Sequence, residues 1–141
     1  MFVRDRMTSP VVTIVSNVSF HHALHLMQER KLRRLPVVEE TGRLVGIVTE
    51  RDLSLATSHY LQAQIDIDEI MCRTVISASV EMPITDAALL MVNHKIGGLP
   101  VVDSAEKVVG IITESDIFRM FVELELQRTA DDGAHVPSII T

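Results

Sequence analysis

The sequence predicts an α/β (α+β) fold in which two β-α-β-β-α repeats pack with pseudo-twofold symmetry. The first observation is internal repetition, because residues 46–52 return as residues 110–116 and the same shift of 64 positions aligns residues 7–52 without a gap. Self-similarity at a fixed period indicates one supersecondary unit used twice. The second observation is that short β-branched runs alternate with segments of helical spacing. The third is the length of 141 residues, since each half alone would bury little surface and the halves are expected to share a core.

The first repeat is predicted over residues 1–62. Its β-branched run 11–15 indicates a short strand, and Ser19 is a good N-cap for a helix over residues 20–31, whose apolar residues have helical spacing. A strand over residues 35–39 and another over 44–48 flank a tight turn and predict a hairpin. Thr49 then opens a helix that runs from Glu50 to about Tyr60.

The second repeat, over residues 63–128, follows the same order after a linker at residues 62–68. Its strands are predicted at residues 75–78, 99–103 and 108–112, and its helices at 84–95 and from Thr113 to Gln127. In each repeat the first and second strands flank a helix and should be parallel with a right-handed crossover, whereas the second and third strands form an antiparallel hairpin. Residues 129–141 lose periodicity and are expected to form a flexible tail.

Composition excludes several functional classes. The net charge is −6, from 13 basic and 19 acidic residues that are interspersed, so the positive footprint of a nucleic-acid-binding protein is missing. Cys72 is the only cysteine, which excludes a disulfide framework and favours a cytoplasmic location. No apolar run approaches the roughly 18 residues of a membrane span, so no membrane partner is expected.

The Thr-x-x-Asp segment after the last strand of each repeat has two interpretations. Thr49 and Thr113 can cap the helices that follow, with Asp52 and Asp116 reaching back to the cap amide. The same groups can also bind a ligand, because a helix N-terminus with a hydroxyl suits phosphate and a carboxylate can accept two hydrogen bonds from a ribose diol. Capping alone explains each segment taken singly.

The doubled pattern, with Leu-Pro-Val-Val before Gly and Thr-x-x-Asp in both copies, resembles a tandem pair of CBS domains, a Bateman module. It is similar in particular to stand-alone bacterial proteins of the acetoin utilisation protein B type. The resemblance implies adenine nucleotides in clefts between the copies, with ribose at Asp52 and Asp116 and phosphate at Thr49 and Thr113. It further implies that the backbone near two dipeptides lines the adenine pocket and that one polar residue on each first strand faces the ligand. These are Leu35-Pro36, Leu99-Pro100, Thr13 and Ser77.

The two copies differ beside the motif, which predicts unequal sites. Arg33 and Arg34 precede the first Leu-Pro, whereas Gly97 and Gly98 precede the second. The glycines should leave room for an adenine ring, and the arginines supply positive charge but crowd the space. Within the motif, Arg51 of the first copy corresponds to Ser115 of the second. The charge pattern leaves AMP, ADP and ATP open as ligands, and no cofactor is required.

No catalytic residue and no metal site are predicted. The sequence contains no phosphate-binding loop of the Gly-x-x-x-x-Gly-Lys type and no Gly-x-Ser-x-Gly elbow. His21 and His25 have the spacing of a metal pair, but no acidic or cysteine ligand accompanies them, which favours an exposed polar face. The chain is therefore expected to be a regulatory nucleotide sensor acting on an unidentified partner protein, and the alternative is a ligand-free scaffold. The strongly apolar last helix predicts a homodimer.

Overall fold

The computed structural model of the chain describes residues 1–59 and 65–133. Both repeats have the predicted order of elements. The first contains a short 3-10 helix at Val3–Asp5, then β1 (Ile14–Val15), α1 (Phe20–Arg30), β2 (Arg34–Val38), β3 (Leu44–Thr49) and α2 (Glu50–His59). The second contains a 3-10 helix at Ile67–Glu69, then β4 (Ala78–Ser79), α3 (Ile84–His94), β5 (Gly98–Val102), β6 (Val108–Thr113) and α4 (Glu114–Asp131). Among the described residues, none of these helices is both long and apolar enough to cross a membrane.

Each repeat forms one three-stranded sheet, in the order β1-β2-β3 or β4-β5-β6. The first pair of strands is parallel and the second pair antiparallel in both sheets, which confirms the predicted topology. The first strands are shorter than predicted, since only Ile14–Val15 and Ala78–Ser79 pair with a neighbour. The residues before them leave their own sheet and cross to the other repeat, where Thr8 pairs with Ile111 of β6.

The helix starts agree with the sequence, but the last helix end does not. Ser19 caps α1 by accepting a hydrogen bond from the His22 amide at 3.3 Å. Helix α4 continues to Asp131, beyond the predicted end at Gln127, and Arg128 pairs there with Glu125 one turn earlier at 2.9 Å. The first residues of the predicted tail are therefore helical, whereas residues 134–141 lie outside the described part of the chain. Within the predicted linker, residues 62–64 are likewise outside it, and Ile67–Glu69 form a 3-10 helix.

The two hydrophobic cores exchange their lead-in segments. Ile67, at the start of the second repeat, is fully buried in the first core, and its amide donates to the carbonyl of Val18 at 2.8 Å. Val3, at the start of the chain, is fully buried in the second core, and its amide donates to the carbonyl of Met82 at 2.9 Å. Each repeat thus completes the core of the other. The division of the chain between residues 62 and 63 remains a prediction about sequence repeats, because packing crosses it in both directions.

Gly46 and Gly110 allow the two repeats to approach closely. A Cβ on Gly46 would lie 2.6 Å from Sδ of Met71, and one on Gly110 would lie 2.6 Å from Sδ of Met7. The same Cβ atoms would also lie close to the backbone of the crossing segment, at 3.1 Å from the carbonyl oxygen of Cys72 and 3.0 Å from that of Thr8. At both positions the neighbour that needs this space is the lead-in segment of the other repeat.

Candidate functional site

The Thr-x-x-Asp segment of the first repeat forms a reciprocal cap at the start of α2. The Asp52 amide donates to Oγ1 of Thr49 at 3.2 Å, and the Thr49 amide donates to Oδ2 of Asp52 at 3.2 Å. Two amides that the helix itself cannot satisfy are therefore paired. This confirms the capping interpretation for the first copy.

In the corresponding segment at the start of α4, the Asp116 carboxylate has more bonding partners than the Asp52 carboxylate has in the first repeat. The Thr113 amide donates to Oδ2 of Asp116 at 2.8 Å, and the Thr113 hydroxyl donates to the same oxygen at 3.1 Å. Nη1 of Arg119 lies 3.4 Å from the other oxygen, Oδ1. Asp116 thus has partners for both oxygens, and a ribose diol would have to replace some of them.

A cavity of about 420 Å³ lies between the repeats at the start of α4, and we call it the open cleft. One wall is the segment before β1 with the loop before β2, and the other is the end of β6 with the first residues of α4. Its lining residues are Thr8, Pro10, Val11, Val12, Lys31, Leu32, Arg33, Arg34, Ile111, Thr113, Glu114 and Ser115. The open cleft therefore combines aliphatic side chains, three basic side chains and a helix N-terminus, which favours negative charge.

The equivalent cleft of the other copy, where Thr49 and residues 95–98 would meet, is occupied by Arg34. The Arg34 guanidinium donates from Nη1 to the carbonyl oxygen of Gly97 at 3.0 Å. A Cβ on Gly97 would lie 2.7 Å from Nη2 of Arg34, and one on Gly98 would lie 2.8 Å from Nη1. The expectation that the two glycines leave free space for an adenine ring is therefore wrong for this conformation, because the arginine of the first copy fills that space.

Arg34 is a half-buried charge with weak compensation. Burial lowers the pKa of the Arg34 guanidinium, the Glu114 carboxylate raises that pKa and the neighbouring Arg33 lowers it. Its one hydrogen-bond acceptor among the described residues is a neutral carbonyl, and no carboxylate there lies within ion-pair distance. Such a charge gains more from an anionic partner than a fully solvated one does.

The remaining predicted site residues lie apart from the open cleft. The side chains of Leu35 and Leu99 are fully buried in the two cores, and Pro36 and Pro100 are buried within β2 and β5. Only the backbone at these positions can face a ligand, as the resemblance implied. Thr13 is half-buried directly before β1 and does not line the open cleft.

Ser77 lies at a different place in the molecule. It lines a smaller cavity of about 170 Å³, together with Arg73 and Glu106. Asp52 and Asp116 are also absent from the lining of the open cleft, although Thr113 belongs to it. The structure therefore brings Thr113 together with the loop before β2, and leaves the other predicted residues behind the surface or elsewhere.

Sequence reasoning missed several residues of the open cleft. Val11 and Val12 were predicted to lie in a strand, and Lys31, Arg33, Arg34, Glu114 and Ser115 were outside the predicted site. The available signal was the difference between the copies, since Arg33, Arg34 and Ser115 are positions where the repeats diverge. The pairing of the first copy's loop with the second copy's helix could not be read from the sequence.

Residues 3–58 and 67–123 each match the family model of the CBS domain. The chain therefore belongs to the CBS-domain family and carries two such domains in tandem. Among curated relatives, the CBS domain-containing protein YhcV of Bacillus subtilis is 35% identical over 116 residues, which are 82% of this chain and 81% of that protein. The L-aspartate semialdehyde sulfurtransferase of Methanocaldococcus jannaschii is 40% identical over 119 residues, or 84% of this chain. The chain spans only 23% of that enzyme's length.

Solved structures of CBS pairs share the fold. The CBS domain pair of protein MJ0100, in complex with 5′-methylthioadenosine and S-adenosyl-L-methionine, has a TM-score of 0.81 at 38% identity, covering 88% of this chain and 98% of that one. A putative acetoin utilization protein (AcuB) from Vibrio cholerae has a TM-score of 0.81 at 35% identity and covers 91% and 96%. CBSX2 in complex with AMP has a TM-score of 0.80 at 28% identity and covers 88% and 98%.

Proposed function

We propose that this protein is a regulatory module that binds an adenine nucleotide in the open cleft. The observation that carries the proposal is the cavity of about 420 Å³ in which aliphatic side chains, three basic side chains and the start of α4 converge. Pockets of this size with a few convergent polar groups are typical of small-molecule sites. Adenosine compounds are bound by the CBS pairs of MJ0100 and CBSX2, and this supports the choice of ligand.

Each wall of the open cleft suits one part of a nucleotide. Val11, Val12 and Ile111 offer apolar surface for the adenine ring. The N-terminus of α4, with its positive helix dipole, and the Thr113 hydroxyl suit the first phosphate, and Lys31 belongs to the same lining. Asp116 does not line the open cleft but bonds to Thr113, which does, and it becomes an acceptor for the ribose diol when the Thr113 hydroxyl turns to the phosphate and frees Oδ2.

Binding there acts on both repeats, because the open cleft has one wall from each. A ligand that prefers one relative arrangement of the walls shifts the module toward that arrangement, and its differential affinity sets the size of the shift. The output is a change in packing that a regulated partner protein recognises. This regulatory role involves no catalysis by the chain.

A thermal melt in the presence of AMP, ADP, ATP, NAD and S-adenosyl-L-methionine tests the proposal. At least one adenosine compound should raise the melting temperature in a concentration-dependent way, since a ligand at 100 times its Kd stabilises the folded state by about 2.7 kcal/mol. Ser115→Asp puts a carboxylate into the lining of the open cleft and should abolish the shift, whereas Ser104→Asp, in the exposed turn before β6, should preserve it. If no compound shifts the wild-type protein, the ligand-free scaffold replaces the sensor as the best reading.

A second candidate function, dimerisation, is favoured by the apolar surface of α3 and α4. Phe118 and Phe121 of α4 are 65% and 59% exposed, and Val92 of α3 is 71% exposed. Large aromatic side chains on a solvent face are costly unless a partner covers them. We propose that a second copy of the chain covers this surface in a homodimer.

Light scattering at several protein concentrations tests the dimer. The wild type should have twice the chain mass of 15.7 kDa, and Phe118→Asp with Phe121→Asp should reduce it to that of one chain. Gln28→Asp, on the exposed side of α1, is the matched control and should remain dimeric. A wild type that stays monomeric at the highest concentration contradicts the proposal.

A further inference from the structure

A trough of positive charge continues from the open cleft toward the start of α2. A second cavity of about 400 Å³ is lined by Arg33, Arg34, Thr49, Glu50, Arg51 and Ser54. It shares the lining residues Arg33 and Arg34 with the open cleft, so the two cavities are adjacent at these residues. We call the surface formed by Lys31, Arg33, Arg34 and Arg51 the basic trough.

The four cations of the basic trough form no ion pair with the described residues. Within residues 1–59 and 65–133, none of the four has a carboxylate within the 4.0 Å of an ion pair. Some arginines at other places are paired in this way, as Arg6 is with Glu123, Arg43 with Glu106 and Arg128 with Glu125. Other cations of the described residues, such as Arg4, Arg30 and Lys107, also lack an ion pair, so what distinguishes the trough is that four cations line two adjacent cavities.

The local balance of charge is opposite to that of the whole chain. Two carboxylates, Glu50 and Glu114, line the two cavities against the four cations, whereas the chain as a whole carries a net charge of −6. Four like charges on neighbouring residues repel one another and lower stability unless an anion joins them. The arrangement indicates a ligand with more than one negative charge that extends out of the open cleft.

We infer that the basic trough binds the phosphate chain of a nucleoside di- or triphosphate whose nucleoside lies in the open cleft. The inference rests on the proposed function and narrows its ligand class. The first phosphate meets Lys31 and the start of α4, and the following phosphates extend to Arg33, Arg34 and Arg51. Guanidinium groups suit this task because their planar forks bind phosphate oxygens in pairs.

The same arrangement disfavours two other adenosine ligands. A monophosphate ends in the open cleft and leaves Arg51 unpaired. A sulfonium compound such as S-adenosyl-L-methionine brings positive charge to a surface that already has an excess of it. The basic trough therefore determines selectivity by the number of phosphates, and the adenosine-binding walls are common to all of these ligands.

Isothermal titration of the full chain, without divalent cations, tests the inference with ATP, ADP, AMP and S-adenosyl-L-methionine. ATP should bind about tenfold or more tightly than AMP, and its affinity should fall more steeply with added salt. Arg51→Ser and Arg33→Gly introduce the residues of the second copy and should each reduce the ATP-to-AMP affinity ratio by about threefold. Lys107→Ser removes one charge in the exposed turn before β6 and should leave the ratio unchanged.

The outcomes separate this inference from the function on which it rests. Equal affinity for AMP and ATP, or tighter binding of the sulfonium compound, overturns the polyphosphate assignment while the nucleotide-binding function stands. Equal effects of Lys107→Ser and Arg51→Ser on the ratio also overturn it, since net charge would then be the cause. Failure of every adenosine compound to bind removes the proposed function itself.

Discussion

Replacing Val3 with aspartate should lower the free energy of unfolding by at least about 3 kcal/mol, because it places a carboxylate without a partner in a closed apolar core. Val3 is 0% exposed and packs in the second core, although it lies at the start of the first repeat. The neighbouring backbone is also committed there, since the Arg4 amide donates to the carbonyl of Val80 at 3.1 Å. The damage should therefore appear in the second repeat and not in the first.

Urea denaturation measures the loss, and hydrogen exchange locates it. Amides of β5 and β6 should lose protection more than those of β2 and β3. Val15→Asp, the same substitution at a position that is 36% exposed and lies outside the proposed dimer surface, is the matched control and should cost clearly less, about 1 kcal/mol. Loss of protection confined to the first repeat would contradict the exchange of lead-in segments.

Replacing Asp116 with alanine should weaken nucleotide binding by about ten- to a hundredfold, whereas Asp52→Ala should weaken it by less than about threefold. Hydrogen bonds to a charged group contribute about 1.5–3 kcal/mol, which corresponds to the ten- to hundredfold loss expected for Asp116→Ala. Asp116 belongs to the segment whose Thr113 lines the open cleft. Asp52 belongs to the cleft that Arg34 occupies, so its loss removes a contact at the weaker site.

Asparagine variants separate binding from capping in this experiment. Asp116→Asn and Asp52→Asn keep a side-chain oxygen that can accept from the cap amide, and both should retain most of the stability that alanine loses, about 1 kcal/mol. Calorimetric titration of all four variants with one nucleotide gives the comparison. Equal losses of affinity at positions 52 and 116 would contradict unequal sites.

Much of the fold could be predicted because the determining signals are local or repeated. Each repeat has a Pro-Val-Val strand with β-branched segments before and after it, and the first hairpin also has a glycine in its turn, so the hairpins could be predicted. The 64-residue repeat gives a second, independent prediction of every element. The helix starts predicted from Ser19 and Thr49 are confirmed, because capping depends on only a few neighbouring residues. The short first strands were misjudged because a β-branched run does not reveal which sheet it will join.

Much less of the candidate site could be predicted, because its walls come from distant parts of the chain. The open cleft joins Arg33 with Ser115, and nothing in the local pattern of either residue indicates the other. Val3 and Ile67 look like ordinary buried residues of their own repeats, and only the three-dimensional crossing assigns them to the opposite cores. The position of Arg34 also depends on how the repeats meet, so its charge could be foreseen but not the space it fills.

The contact of Arg34 with Gly98 has a consequence for how a duplicated chain diverges. Positions 34 and 98 are equivalent in the two repeats, because they are 64 residues apart. Arg34 therefore contacts its own equivalent residue across the pseudo-twofold axis. Two arginines there would bring two guanidinium groups into one space, whereas two glycines would leave the loop without this charge. A strictly symmetric ancestor could not have had the present arrangement. The present arrangement requires a long side chain at this position in one copy and none in the other, so the two clefts are unequal because the two copies differ here.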